Sequence, residues 1–147
     1  MASDVETLVR RFFDDAINAR NLDAFDQFCS PDYVFHGGAD PGALGDVHGL
    51  AGFKDAVAEF FTAFPDLRVE ILDVVSSGDK AAVRFREKGT HLGSFIGFEP
   101  TGRSVSFAGM GLYRAERGKL VEEWSHDDSR ALLEQIGAIP VIRAPES

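Results

Sequence analysis

The chain has 147 residues, 44% of them apolar with 13 Phe, a composition that supports one folded domain with its own core and excludes disorder. Its formal net charge of −9 repels phosphate backbones and anionic lipid heads, so nucleic acid and membrane surfaces are excluded as partners. Cys29 stands alone, so no intramolecular disulfide forms, and among apolar neighbours it reads as a small buried hydrophobe.

The elements follow in chain order. Ser3 and Glu6 make a capping-box pattern, and Val5, Leu8, Val9, Phe12, Phe13, Ala16 and Ile17 then recur every three or four residues on one helix face. Asn18 to Asn21 ends that helix. Leu22 to Phe28 predicts a short second helix with Leu22, Phe25 and Phe28 inward. A strand is expected over Tyr33–His36, after the Ser30-Pro31 break. Residues 37–49 hold five Gly and one Pro and predict a loop. Leu50, Phe53, Val57, Phe60, Phe61 and Phe64 predict a long helix that Pro65 stops.

The rest is β in pattern. Leu67–Val75 and Ala81–Lys88 flank a turn at Ser76–Asp79. Gly89–Arg103 is a Gly-rich connection. Val105–Arg114 and Leu120–Asp128 flank a second turn at Ala115–Gly118, and Ala131–Ile136 is a closing helix. Helices followed by antiparallel strands predict an α+β fold, helices on one face of a curved sheet, as one domain over 1–147. Its core spans about 5–140, followed by a loose tail. The N-terminus lacks the continuous apolar run of a signal peptide, and no apolar segment is long enough to span a bilayer, so a cytoplasmic protein is expected.

Chemistry is expected on the last strand. Counting alternation from Leu120 puts Glu122, Trp124, His126 and Asp128 on one face, and Val121, Glu123, Ser125 and Asp127 on the other. A face that combines Trp124 with an imidazole and a carboxylate suits a pocket wall: the indole packs a ligand while the polar groups act on it. A second reading of Asp128 stands beside this one, in which it caps the closing helix. Asp127, on the other face, is assigned a solvated or capping role. His91 follows the parity of Ala81, Val83 and Phe85 and points to that apolar side, either as a structural core histidine or as a pocket group. His36 ends the early strand with the same two readings, and His48 lies in a loop, solvated. No His-x-His, His-Glu-x-x-His or Cys cluster is present, and no dinucleotide or phosphate-binding glycine motif, so neither metal nor cofactor is expected.

Several segments, in order and spacing, carry a resemblance. These are Ala63-Phe-Pro-Asp-Leu67, Gly89-Thr-His-Leu-Gly93, Gly97-Phe-Glu-Pro-Thr-Gly-Arg103, Gly118-Lys-Leu-Val-Glu-Glu-Trp124 leading to Asp128, and Leu132-Leu-Glu-Gln-Ile-Gly137 with Pro140. The sequence resembles the SnoaL-like polyketide cyclases of the nuclear transport factor 2-like superfamily, over roughly Val5 to Pro140. The resemblance implies a cone-shaped fold, a strongly bent antiparallel sheet wrapping three main helices around an internal pocket. It also implies homodimers or higher assemblies packed through the outer sheet face.

By family spacing the acid/base carboxylate falls on Asp128, the pocket histidine on His91, and the strand-end histidine on His36. The expected reaction is proton transfer on a carbon acid, in the simplest case an intramolecular aldol ring closure of a small apolar carbonyl substrate. Asp128 would act as the base and His91 would stabilise the enolate. His36, Trp124, His126, Phe13 and Phe60 would bind the substrate. This sequence departs from the family with Ser-His-Asp between Trp124 and Asp128, where apolar residues are common. Rival readings are a hydrolase, for which Arg84, Arg86 and Arg103 form no evident cluster with acids, a ketosteroid-type isomerase, and a binding domain without catalysis. Asp128 buried beside a histidine favours catalysis; Asp128 as a mere helix cap favours binding.

Overall fold

The structure is a computed structural model that describes residues 4–142 and residue 145. Ser3 of the expected capping box and most of the C-terminal tail lie outside the described residues. Helix α1 (Asp4–Phe12) buries Val5, Val9 and Phe12, with acids in its first turn and arginines in its last, which suits the helix dipole. The helical pattern runs on to Ile17 as expected, but Phe13–Ile17 is wound as a π turn, with Asn18 N–H donating to Phe13 C=O at 2.8 Å. A π turn inserts one residue and rotates the following side chains, here turning Phe13 and Ile17 to the interior space described below. Asn18 then clamps the sheet edge: its side chain accepts from Val69 N–H at 2.7 Å and donates to Val69 C=O at 2.8 Å.

A 3₁₀ turn (Leu22–Ala24), capped by the Asn21 side chain, leads into the short helix α2 (Phe25–Phe28). Strand β1 (Cys29–His36) starts earlier than the Pro31 break suggests. Pro31 lacks an N–H, and it falls where the pairing of β1 with its neighbour shifts register, so no ladder bond is lost to it. β2 (Val47–His48) is a two-residue strand inside the expected loop, and α3 (Leu50–Ala63) ends just before Pro65.

The two hairpins form as predicted, three of their four arms longer: β3 (Arg68–Ser77) with β4 (Lys80–Thr90), and β5 (Ser104–Glu116) with β6 (Lys119–Asp127), which keeps its expected length one residue earlier. Arg117 and Gly118 both have positive φ, the backbone that a tight hairpin turn requires. Helix α4 (Ser129–Gln135) closes the domain. The six strands make one sheet in the order β2-β1-β6-β5-β4-β3. All neighbours are antiparallel except β1 and β6, which run parallel, so the sheet is mixed.

The α+β expectation holds. Helices cover the inner sheet face, and an aromatic core fills the space between, with Phe12 and Phe25 edge-to-face at 5.0 Å and Phe13 against Tyr113 at 5.8 Å. Cys29 is buried in that core, and burial pushes its thiol far above the ordinary value, as a structural cysteine requires. Among the described residues, no helix is long and apolar enough to cross a membrane.

Candidate active site

One irregularity in β6 decides the site. Arg114 pairs with Glu122 but Ala115 pairs with Leu120, so Val121 is an extra residue, a β-bulge. A single inserted residue flips every later side chain to the opposite face. Leu120 points inward, and after the bulge Glu123, Ser125 and Asp127 point inward too, while Glu122, Trp124 and His126 face out. The alternation counted from Leu120 is therefore corrected: Trp124 and His126 do not line the main cavity, and Asp127 does.

That cavity has a volume of about 480 Å³ and lies between the sheet and helix α3. Its helix side is mostly apolar: Phe53, Val57, Phe60 and Phe61 from α3, with Phe13 and Ile17 from the π turn, beside Glu59 and Thr62 of α3. Phe13 and Phe60 both line this cavity. Ala43 and Leu44 of the loop after β1 border it, as do Phe95 and Ile96 of the β4–β5 connection, Ile96 being 55% exposed.

Its sheet side carries the polar groups Glu87, Tyr113, Glu123, Ser125 and Asp127. Two glycines make room for them. A Cβ at Gly111 would stand 2.5 Å from Ser125 Oγ and 2.9 Å from the Tyr113 ring, and one at Gly109 would stand 2.6 Å from the Phe85 ring.

The carboxyls form two units. Glu123, 5% exposed, accepts hydrogen bonds from the fully buried Tyr33 hydroxyl and, at 2.5 Å, from Ser125 Oγ. Burial raises its pKa, and the hydrogen bonds from Ser125, Tyr33 and Tyr113 oppose that rise by favouring the carboxylate. Glu87 and Asp127 hydrogen-bond to each other. Burial pushes Glu87 well above the ordinary carboxylate range, and the neighbouring Asp127 charge adds to it. Burial raises Asp127 as well, while the hydrogen bond from Glu87 favours its ionised form. Burial and mutual proximity thus favour the protonated form in both carboxyls of this pair. Among the described residues no group of His, Cys, Asp or Glu is arranged to hold a metal ion.

The other expected site residues lie elsewhere. Asp128 is the N-cap of α4, its Oδ1 accepting from Ala131 N–H at 3.0 Å, so the capping reading is the one its geometry meets. His91 is 0% exposed but outside the cavity, its ring 5.7 Å from that of Phe64. Its Nδ1 accepts from Thr101 N–H at 3.3 Å, and its Nε2 is buried with no hydrogen-bond partner among the described residues. His36 stacks on Trp124 at 5.0 Å and 11°, with Nε2 at 2.6 Å from Glu122, on the outer sheet face. The hydrogen bond to His36 and the Arg114 guanidinium hold Glu122 below its ordinary range. His48 is exposed as expected.

Glu87 escaped the sequence reading although a signal for it existed. It has the same parity as Ala81, Val83 and Phe85, so it is a carboxylate on an otherwise apolar strand face. Glu123, Ser125 and Asp127 were hidden by the bulge.

Solved structures share this fold. AclR, a proposed hydroxylase of Streptomyces galilaeus, matches with a TM-score of 0.82 and 28% identity over 95% of this chain and 85% of its own. A SnoaL-like polyketide cyclase of Jannaschia sp. CCS1 matches at 0.81 and 26% over 93% and 94%. IdmH, a proposed polyketide cyclase of Streptomyces antibioticus, matches at 0.77 and 26% over 92% and 99%. No curated protein sequence matches the chain. The family model described as SnoaL-like polyketide cyclase matches residues 7–136, nearly the whole described fold. The chain belongs to the SnoaL-like polyketide cyclase family.

Proposed function

We propose that the protein catalyses acid/base chemistry on a small apolar carbonyl compound, in the simplest case an intramolecular aldol ring closure, with Glu87 and Asp127 as the proton-handling pair. The observation that carries this reading is a pair of interacting carboxyl groups, Glu87 and Asp127, both raised by burial, in the wall of an aromatic cavity. A carboxylate in water is a weak base for a ketone, and burial raises its basicity.

In the cyclisation, Asp127 removes a proton from the carbon next to a carbonyl. The enolate carbon forms a bond to a second carbonyl carbon, and the resulting alkoxide takes the proton that Glu87 holds. The proton gained by Asp127 then re-forms the shared bond, so the pair returns to its starting charge. Phe13, Phe53, Phe60 and Phe85 hold the flat apolar body of the substrate, and the cavity volume suits a ligand of several fused rings. On the outer sheet face we infer a second copy of this chain as the partner.

Family spacing points to Asp128, and geometry favours its neighbour, so both are tested. The protein is incubated in deuterated water with aromatic polyketide esters and small ketones, and exchange of the α-hydrogen is followed. Exchange that vanishes in Asp127→Asn and persists in Asp128→Asn supports the pair. Loss in Asp128→Asn alone returns the role to that residue. Tight binding without exchange by the wild type favours a ligand-binding domain.

A further inference from the structure

A smaller cavity of about 50 Å³ lies beside the main one, and Asp127 and Ser125 border both. Gly38, Asp40 and His126 border only the small one. The space admits water, and its carboxylates, hydroxyl and imidazole supply the polar partners an enclosed water needs. His126 is exposed, so its ring stands between this space and solvent, and its Nδ1 lies 3.4 Å from the place where a Cβ on Gly38 would be.

We propose that the side cavity is a water-filled port through which Asp127 exchanges protons with solvent past His126. This rests on Asp127 being the proton-handling residue proposed above. An apolar substrate that fills the main cavity expels its water and closes that side of the carboxyl pair. The side cavity remains open, because His126, Gly38 and Asp40 take no part in the main cavity wall. The port is not a step of ring closure, which recycles its own proton. It sets the charge of the pair before chemistry and returns a lost proton when the cavity is occupied.

The groups around Asp127 fit that task. Glu87 of β4 donates to it, His126 favours its ionised form, Asp128 ahead of α4 opposes that form, Asp40 borders the same small space, and Glu123 acts on Glu87. His126 is thus a positioning residue that works through Asp127, and it is the polar residue by which this chain departs from its family's apolar pattern.

The test needs no substrate. The carboxyl carbons of Asp and Glu are labelled in the full chain, and Asp127 is titrated by NMR in the wild type, in His126→Gln and in Gly38→Leu. Gly38 has no positive φ, so a side chain there is unstrained, and it would project against His126 and Ala43 into the side cavity. Where leucine prevents folding, Gly38→Val gives the same obstruction with less bulk. The expected result is an upward shift of the Asp127 midpoint in both variants, from loss of the imidazole in one and loss of water in the other, with the distant Asp73 unmoved. Equal midpoints in all three proteins overturn the port. A shift in His126→Gln alone overturns it too, because a direct charge effect then suffices. The outcome is independent of ketone exchange, so the catalytic reading can fail while the port is still decided.

Discussion

Glu87 of β4 and Asp127 of β6 hydrogen-bond across the intervening strand β5, which presents glycine at 109 opposite Asp127. Both folded-state pKa values lie above those of the unfolded chain. The folded protein therefore binds more protons than the unfolded one at pH values between the two sets. Stability falls as pH rises from about 4 through the raised values. Melting temperature measured across that range is expected to drop toward alkaline pH. Glu87→Gln keeps an N–H donor for Asp127 and removes the titration, so it flattens the profile. At alkaline pH it should raise the melting temperature relative to the wild type, since the variant no longer has to ionise a buried carboxyl. A parallel profile for wild type and variant would show that Glu87 does not titrate in this window.

Asp127 and Asp128 are neighbours with opposite tasks, and two substitutions separate them. Asp128→Ala removes the cap of α4 and should cost about 1 kcal/mol, or about 2–4 °C in melting temperature for a domain of this size. The activity of the folded fraction should be kept. Asp127→Asn removes a buried carboxyl with a raised pKa, so it should not destabilise the fold at neutral pH, and it should abolish α-hydrogen exchange. Thermal melts beside exchange assays read both effects, and the opposite assignment of losses would sink this division of roles.

The same pair shows how far the sequence was legible. Element order and most bounds follow from periodicity and from Pro65, Gly78 and Gly118, which are local signals. The α+β class follows from that order. Phe13 and Phe60 were legible as cavity residues because helix spacing alone puts them on the apolar face. The cavity-facing side of β6 was not, because a bulge at Val121 has no local signature. It is set by how β6 packs between β1 and β5, and β1 shifts its own register near the same place. The π turn at Phe13–Ile17 is the helical equivalent, one residue gained for tertiary reasons. His91 was legible as inward-facing and is fully buried, yet no local rule says that Phe64 and Thr101 would enclose it away from the cavity.

Tyr33 and Glu123 give a third prediction. The Tyr33 hydroxyl is enclosed in the core and donates to a carboxylate that is itself buried. Tyr33→Phe keeps the ring and leaves Glu123 with two donors in place of three, so it should cost roughly 1–3 kcal/mol. The cost should shrink in a Glu123→Gln background, where no buried charge needs the bond. Urea denaturation of the two single variants and the double variant measures the coupling, and additive losses would mean that the hydroxyl serves some other group.

The outer sheet face gives the last prediction. Met110 is 58% exposed there and pairs with His126 on β6, while Leu112 pairs with Trp124, whose indole is half covered by His36. Apolar side chains rimmed by Arg114, Glu122 and His36 have the make-up of an interface, an apolar centre with a polar edge. Light scattering after size exclusion is expected to give the mass of a dimer. Met110→Asp puts a charge at the apolar centre of this face. It should shift the mass to a monomer, while the fold of each copy changes by no more than about 0.5 kcal/mol, as for other surface sites. Because Met110 points away from the cavity, ketone exchange per folded chain should be unaltered. A dimer that survives this substitution would place the contact on another face.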